Sequence, residues 1–166
     1  MLFLANSDDQ SGGQRLSDAE LIVKGALVVE GTEAAPVVFG SSEANARAGD
    51  WGGIRVEGGS LSLAYAHLSH SGYGISVEGL SGSGFVMDHS VITASGQGIY
   101  LDNANGRAIV LTNNVIEVSS DWAVQLYQGW NQYAPVTEVT GNTVTNTNGP
   151  GSVSYTHLTL PTNREV

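Results

Sequence analysis

Gly53-Ile54-Arg55-Val56 returns three times along the chain, as Gly74-Ile75-Ser76-Val77, Gly98-Ile99-Tyr100-Leu101 and Ala123-Val124-Gln125-Leu126. Its first apolar residue (Ile54, Ile75, Ile99, Val124) recurs after 21, 24 and 25 positions. A period in this range marks a repeat architecture. Each copy reads apolar–any–apolar, which sends two side chains to one face of a strand and one to the other. Ile54, Ile75, Ile99 and Val124 are therefore expected to be buried and stacked.

A second series runs beside the first. Leu68, Val91, Val115 and Val144 close the segments Tyr65-Ala66-His67-Leu68, Asp88-His89-Ser90-Val91, Thr112-Asn113-Asn114-Val115 and Gly141-Asn142-Thr143-Val144, at spacings of 23, 24 and 29. They too are expected to form a buried column, the last interval being lengthened by an insertion over residues 127–135. Each period thus carries at least two strands, separated by Gly, Ser, Asn or Asp. No window shows the sustained i, i+3, i+4, i+7 pattern of a long helix. The expected fold is all-β: a right-handed parallel β-helix, a single-stranded solenoid of about five turns.

The 166 residues make room for one domain, and an apolar share of 41% is enough for a core. The expected organisation is a truncated N-terminal turn or cap over residues 1–19, repeats over 20–152 and a separate tail over 153–166. Net charge is −10, with a single lysine, Lys24, and no basic run. Nucleic acid and anionic membrane are poor partners for such a chain, because both need clustered cations. There is no cysteine, so disulfides and thiolate metal sites are excluded. No apolar run reaches the length of a membrane span.

Three motifs carry a resemblance. Glu20-Leu21-Ile22-Val23-x-Gly25, Glu30-Gly31-Thr32-x-x-x-Pro36-Val37-x-Phe39 and Gly49-Asp50-Trp51-x-Gly53-Ile54 are similar to the bacterial right-handed parallel β-helix repeat proteins, found as modules of large secreted or surface proteins. The similarity runs over roughly residues 20–149. It implies a structural or carbohydrate-binding module of a larger secreted or cell-surface, adhesin-like protein, with a polysaccharide or surface glycan as partner. The alternative it implies is a fragment of a polysaccharide-active enzyme, a pectate-lyase-like lyase or an epimerase. In that family the segment before Glu20 continues an earlier turn, so an N-terminal truncation is expected. Enzymes on that fold use an Asp/Glu-bound Ca²⁺ with an Arg or Lys base, or a cluster of carboxylates. Lys24 and Arg107 stand apart from any Asp pair, and no catalytic constellation is visible.

The candidate ligand-binding residues follow from the strand alternation. With Ile54 and Val56 inside, the outward columns are Arg55, Ser76, Tyr100, Gln125 and Glu57, Glu78, Asp102, Tyr127. Carboxylates of Glu57, Glu78 and Asp102 stacked about 4.8 Å apart would repel by about 1 kcal/mol per pair in water. Solvent, Arg55 or a Ca²⁺-like cation with oxygen ligands is expected to relieve this, which makes the three a candidate metal site. Tyr127, Trp130 and Tyr133 lie in the insertion, with Trp122 before it, and offer a stacking platform for sugar rings. Trp51 is read as packing. His67, His70 and His89 have no carboxylate at metal-ligand spacing and are read as polar surface residues. Asn113 and Asn142, with His89, are placed at one repeat position as a structural ladder.

Residues 153–166 resemble no part of this pattern. Val153-Ser154-Tyr155-Thr156-His157-Leu158-Thr159-Leu160-Pro161-Thr162 resembles the translation of a widely used transposase sequencing adapter, gtc-tct-tat-aca-cat-ctg-acg-ctg-ccg-acg. The tail is expected to be foreign to the natural protein, which then continues past Ser152, and Tyr155 and His157 carry no functional weight.

Overall fold

The computed structural model describes residues 1–8, 13–118, 122–126, 137–146 and 153–155. Among them all regular structure is β-strand, and every strand–strand ladder is parallel. The first sheet has six strands in the order β1 (Leu2–Phe3), β4 (Val37–Ser41), β6 (Ala66–Ser69), β8 (Val91–Ser95), β11 (Val115–Val118), β14 (Thr143–Asn146). The second has nine strands and is built on β5 (Gly53–Ala64) and β7 (Tyr73–Asp88). The first halves of these two strands lie in the series β2 (Glu20–Val23), β5, β7, β9 (Gln97–Leu101), β12 (Val124–Leu126), β15 (Val153–Tyr155). Their second halves lie in β3 (Ala26–Glu30), β5, β7, β10 (Ile109–Thr112), β13 (Thr137–Thr140).

This corrects the expected right-handed parallel β-helix. The described strands form two large parallel sheets and no closed solenoid. A period near 24 residues makes like strands stack in parallel, but it does not determine how the sheets close. Gly58 and Gly59 do not end the repeated strand. Instead they sit within β5, where the register against β7 shifts three times between Val56 and Leu61. Glycine takes a bulge there, Gly58 with φ +72°, so the strand that carries Ile54 and Val56 runs on to Ala64, 12 residues in all.

The first expected column is present. Ile54, Ile75, Ile99 and Val124 are consecutive partners across β5, β7, β9 and β12, and all are buried. The glycine before each isoleucine has a steric cause. A Cβ on Gly53 would overlap the carbonyl oxygen of Tyr73, and one on Gly98 would overlap that of Ala123. The second expected column holds at Leu68 and Val144 and is displaced by one residue at its two middle positions. The stacked, buried series is Phe39, Leu68, Ile92, Ile116, with Val144 next. Val91 and Val115 pair with each other on the opposite face, where Val115 is 41% exposed. The true spacings, 24, 24 and 28 from Leu68 to Val144, are more regular than those assumed.

The displacement has a backbone cause. Tyr65, His89, Asn113 and Gly141 occupy the left-handed region, with φ of 50°, 45°, 55° and 67°. This costs the three non-glycine residues about 1–2 kcal/mol each. The next residue in each repeat turns its side chain inward. Ser90 Oγ accepts from Ala66 N at 2.9 Å, Asn114 Oδ1 from Ser90 N at 2.9 Å, and Asn142 Oδ1 from Asn114 N at 3.0 Å. Asn114 Nδ2 also donates to Met87 O at 2.8 Å and Asn142 Nδ2 to Leu111 O at 2.6 Å. The ladder thus exists, but its rungs are Ser90, Asn114 and Asn142. His89 and Asn113 belong to the left-handed corner beside it. A shorter ladder joins Ser71 Oγ to Ser95 Oγ at 2.8 Å.

At the N-terminal end β1 lies on β4, and the Phe3 ring stacks on buried Trp51 at 4.2 Å and 3°. Trp51 Nε1 donates to Ser69 O at 2.8 Å, so Trp51 is packing, as read. Residues 153–155, the described part of the tail expected to be foreign, add a parallel strand to β12. An open edge accepts any chain that can extend. Among the described residues no helix is long and apolar enough to cross a membrane.

Candidate functional site

Two outward clusters carry polar chemistry. The first lies on the face opposite the Ile54 column. Ile22, Arg55, Ser76, Tyr100 and Gln125 are consecutive partners across five strands, as expected for the last four. Arg55 is the organising group, its side chain only 12% exposed. Nη2 donates to Glu78 Oε2 at 2.7 Å. Nε lies 3.0 Å from Glu57 Oε1 without a well-aligned hydrogen bond, so charge rather than a directed bond holds that side. Lys24 Nζ approaches the other Glu57 oxygen at 3.4 Å. Ser76 is buried in the middle of the column and Tyr100 is half-buried.

The acidic column of Glu57, Glu78 and Asp102 is not a simple stack. The bulge pairs Glu57 with Gly79 rather than Glu78. Glu57 and Glu78 meet at Arg55, and Asp102 is exposed, its backbone N–H bonded to Val77 O at 2.9 Å. Among the described residues no group of three or more His, Asp or Glu side chains could hold a metal ion. Tyr127, Trp130 and Tyr133 lie outside the described residues. Trp122 is described and is 37% exposed.

The second cluster was not read as a site. Asp88 ends β7 and His89 is its left-handed neighbour. Asp88 Oδ2 accepts from His89 Nδ1 at 2.8 Å. Asp88 Oδ1 accepts from Thr112 Oγ1 at 2.6 Å and Asn113 Nδ2 at 3.3 Å. Burial works against the Asp88 charge. The bonds from Thr112, His89 and Asn113 and the nearby imidazole outweigh it and hold the carboxyl below its ordinary range. In the neutral tautomer that carries its proton on Nδ1, the bond to the carboxylate leaves Nε2 as the ring's acceptor. The His89 ring also stacks on Tyr65 at 5.0 Å. Asp88 is thus a hydrogen-bond partner of His89, a contact that the reading of the histidines as polar surface residues did not include. The available signal was the pair Asp88-His89 and its recurrence as Thr112-Asn113 24 residues later, positions that the repeat spacing already aligns.

His67 is exposed on the outward face of β6, and His70 Nδ1 lies 3.1 Å from Ser69 Oγ. Asp50 is held below its ordinary value mainly by a 2.6 Å bond from Ser41 Oγ. Burial opposes this in part, and the Arg47 backbone N–H at 3.0 Å and the charges of His70 and Arg47 reinforce it. Asp50 closes the loop before Trp51 and is a structural group.

Searches against known protein families, curated proteins and solved structures find no match. The fold and its clusters therefore define the chain only as an all-β repeat protein of parallel sheets.

Proposed function

We propose that the chain is a structural repeat module that binds carbohydrate, part of a larger secreted or cell-surface, adhesin-like polypeptide. The observation that supports this most is the outward column Arg55–Ser76–Tyr100–Gln125, in register on a parallel sheet. Sugars are recognised by bidentate donors and carboxylates fixed in place, with an aromatic face nearby. Arg55 is held between Glu57 and Glu78, so these groups need no reordering when a ligand arrives, which lowers the cost of binding. No bound cation is required, because Arg55 and Lys24 already balance Glu57 and Glu78. The net charge of −10 favours neutral glycans over acidic ones and disfavours nucleic acid and anionic membrane.

The test is titration of the protein with neutral, acidic and amino-sugar polysaccharides. Binding to a neutral glycan that Tyr100→Ala and Arg55→Ala each weaken is expected. No binding to any of the three classes would leave a purely structural module. The alternative, a polysaccharide-active enzyme fragment, draws support from the Asp88–His89 pair alone, since a carboxylate-held imidazole can act as a base. An ultraviolet-absorbing unsaturated product from an acidic polysaccharide, lost in His89→Gln, would favour it.

A further inference from the structure

Between β9 and β10, which run in the same direction along β7, the chain makes a tight turn at Ala104-Asn105-Gly106-Arg107. Arg107 N donates to Ala104 O at 2.9 Å, and the two central residues both have positive φ, 50° at Asn105 and 69° at Gly106. This is the geometry of a type I′ turn, which asks for Asn-Gly. All three of Asn105, Gly106 and Arg107 are exposed. Asn105 Nδ2 donates to Leu80 O at 3.2 Å, and its backbone N–H bonds to Asn103 Oδ1 at 2.8 Å. The turn's closing hydrogen bond is made by the Arg107 amide, not by that of Gly106.

We propose that Asn105 is a site of spontaneous covalent modification, deamidating within the folded protein. The Gly106 backbone nitrogen, losing its proton to solvent base, attacks Asn105 Cγ. A nitrogen–carbon bond forms, ammonia leaves with that proton returned, and a five-membered succinimide results. Water then opens either carbonyl, giving aspartate or isoaspartate at 105. One water enters and one ammonia leaves, and nothing is oxidised or reduced. Gly106 permits the approach because it has no Cβ, and asparagine is a chemically labile residue. The other asparagines differ. Asn103, Asn113, Asn114 and Asn142 are followed by Ala104, Asn114, Val115 and Thr143, each of which carries a side chain.

Conversion has a local consequence. The amide donor that Leu80 O now receives is replaced by a carboxylate oxygen facing a carbonyl. The new charge falls beside Gly79, the strand partner of Glu57, and so at the margin of the Arg55 cluster. Deamidation would therefore remove the Asn105 bond to Leu80 O and make the outward face more acidic.

The experiment is peptide mapping by mass spectrometry, with isoaspartate detection, of the full chain kept folded in warm, mildly alkaline buffer. Aspartate and isoaspartate are expected at 105 well before any change at Asn103, Asn113, Asn114 or Asn142, and faster at higher pH. The second Asn-Gly pair, Asn148-Gly149, lies outside the described residues and is read on its own peptide. Asn105→Gln, whose longer side chain cyclises far more slowly, is expected to show no conversion at that peptide while the circular dichroism stays that of the parent. An Asn105 that stays intact in the folded chain and converts only in urea would overturn the proposal.

Discussion

Replacing Asn114 by Ala tests the ladder that joins the repeats. Asn114 is 1% exposed. Its side chain accepts from Ser90 N at 2.9 Å, donates to Met87 O at 2.8 Å and contacts Asn142 Oδ1 at 2.9 Å. Alanine leaves two buried backbone groups, Ser90 N–H and Met87 C=O, without these partners, and each costs about 1–3 kcal/mol. The Asn142 oxygen keeps its bond from Asn114 N and adds little. The expected loss is therefore about 2–6 kcal/mol, a large part of the roughly 5–15 kcal/mol that holds a typical domain. The assay is urea unfolding followed by circular dichroism, with the slope compared to exclude a change in the unfolded state. Asn113→Gly is the control one residue away. It gives up only an exposed 3.3 Å bond to Asp88 and relieves a φ of 55°, so it should be neutral or mildly stabilising. A loss below 1 kcal/mol for Asn114→Ala (about the net worth of one ordinary hydrogen bond), or a larger loss for Asn113→Gly, would refute the assigned register.

Other outcomes follow from the same structure. Ile75→Ala, in the fully buried column, should cost about 2–5 kcal/mol, whereas Val115→Thr on the outer face should stay within about 0.5 kcal/mol, both read from urea midpoints. Asp88 has its folded pKa below its unfolded value. Its contribution is therefore complete above the unfolded value and fades as pH falls through the folded one. An acid titration of stability should show a shallower loss in Asp88→Asn than in the parent, and identical curves would remove Asp88 from the account. Phe3→Ala should expose the Trp51 ring that Phe3 now covers and red-shift tryptophan emission. Adding Ca²⁺ or a chelator should leave the melting temperature unchanged, since Arg55 already bridges Glu57 and Glu78. A rise with Ca²⁺ would restore a cation site to the acidic column.

What the sequence disclosed, and what it hid, divides along one physical line. The Ile54 column and its outward partners were legible because Gly-Ile-x-Val alternates apolar with polar, so only one register buries the apolar set. At Val91-Ile92 and Val115-Ile116 both neighbours are β-branched and apolar, and alternation no longer tells inside from outside. The left-handed residues at 65, 89, 113 and 141 then decided the matter, and Tyr, His and Asn do not announce that conformation as a row of glycines would. Closure of the sheets was illegible because a repeat period constrains neighbours along the stack and not the path around it. Asp88 with His89 was hidden for a related reason. Two of the three side-chain partners of Asp88, Thr112 and Asn113, come from the next repeat and reach it only through the strand pairing.

The most direct test of the parallel, in-register stacking on which every proposed site rests is a methyl-resolved nuclear Overhauser spectrum of the folded protein. Contacts linking Ile54 to Ile75, Ile75 to Ile99, Leu68 to Ile92 and Ile92 to Ile116 are expected. A spectrum that instead joined Leu68 to Val91 inside the core, or showed no contact between these isoleucines, would contradict the account.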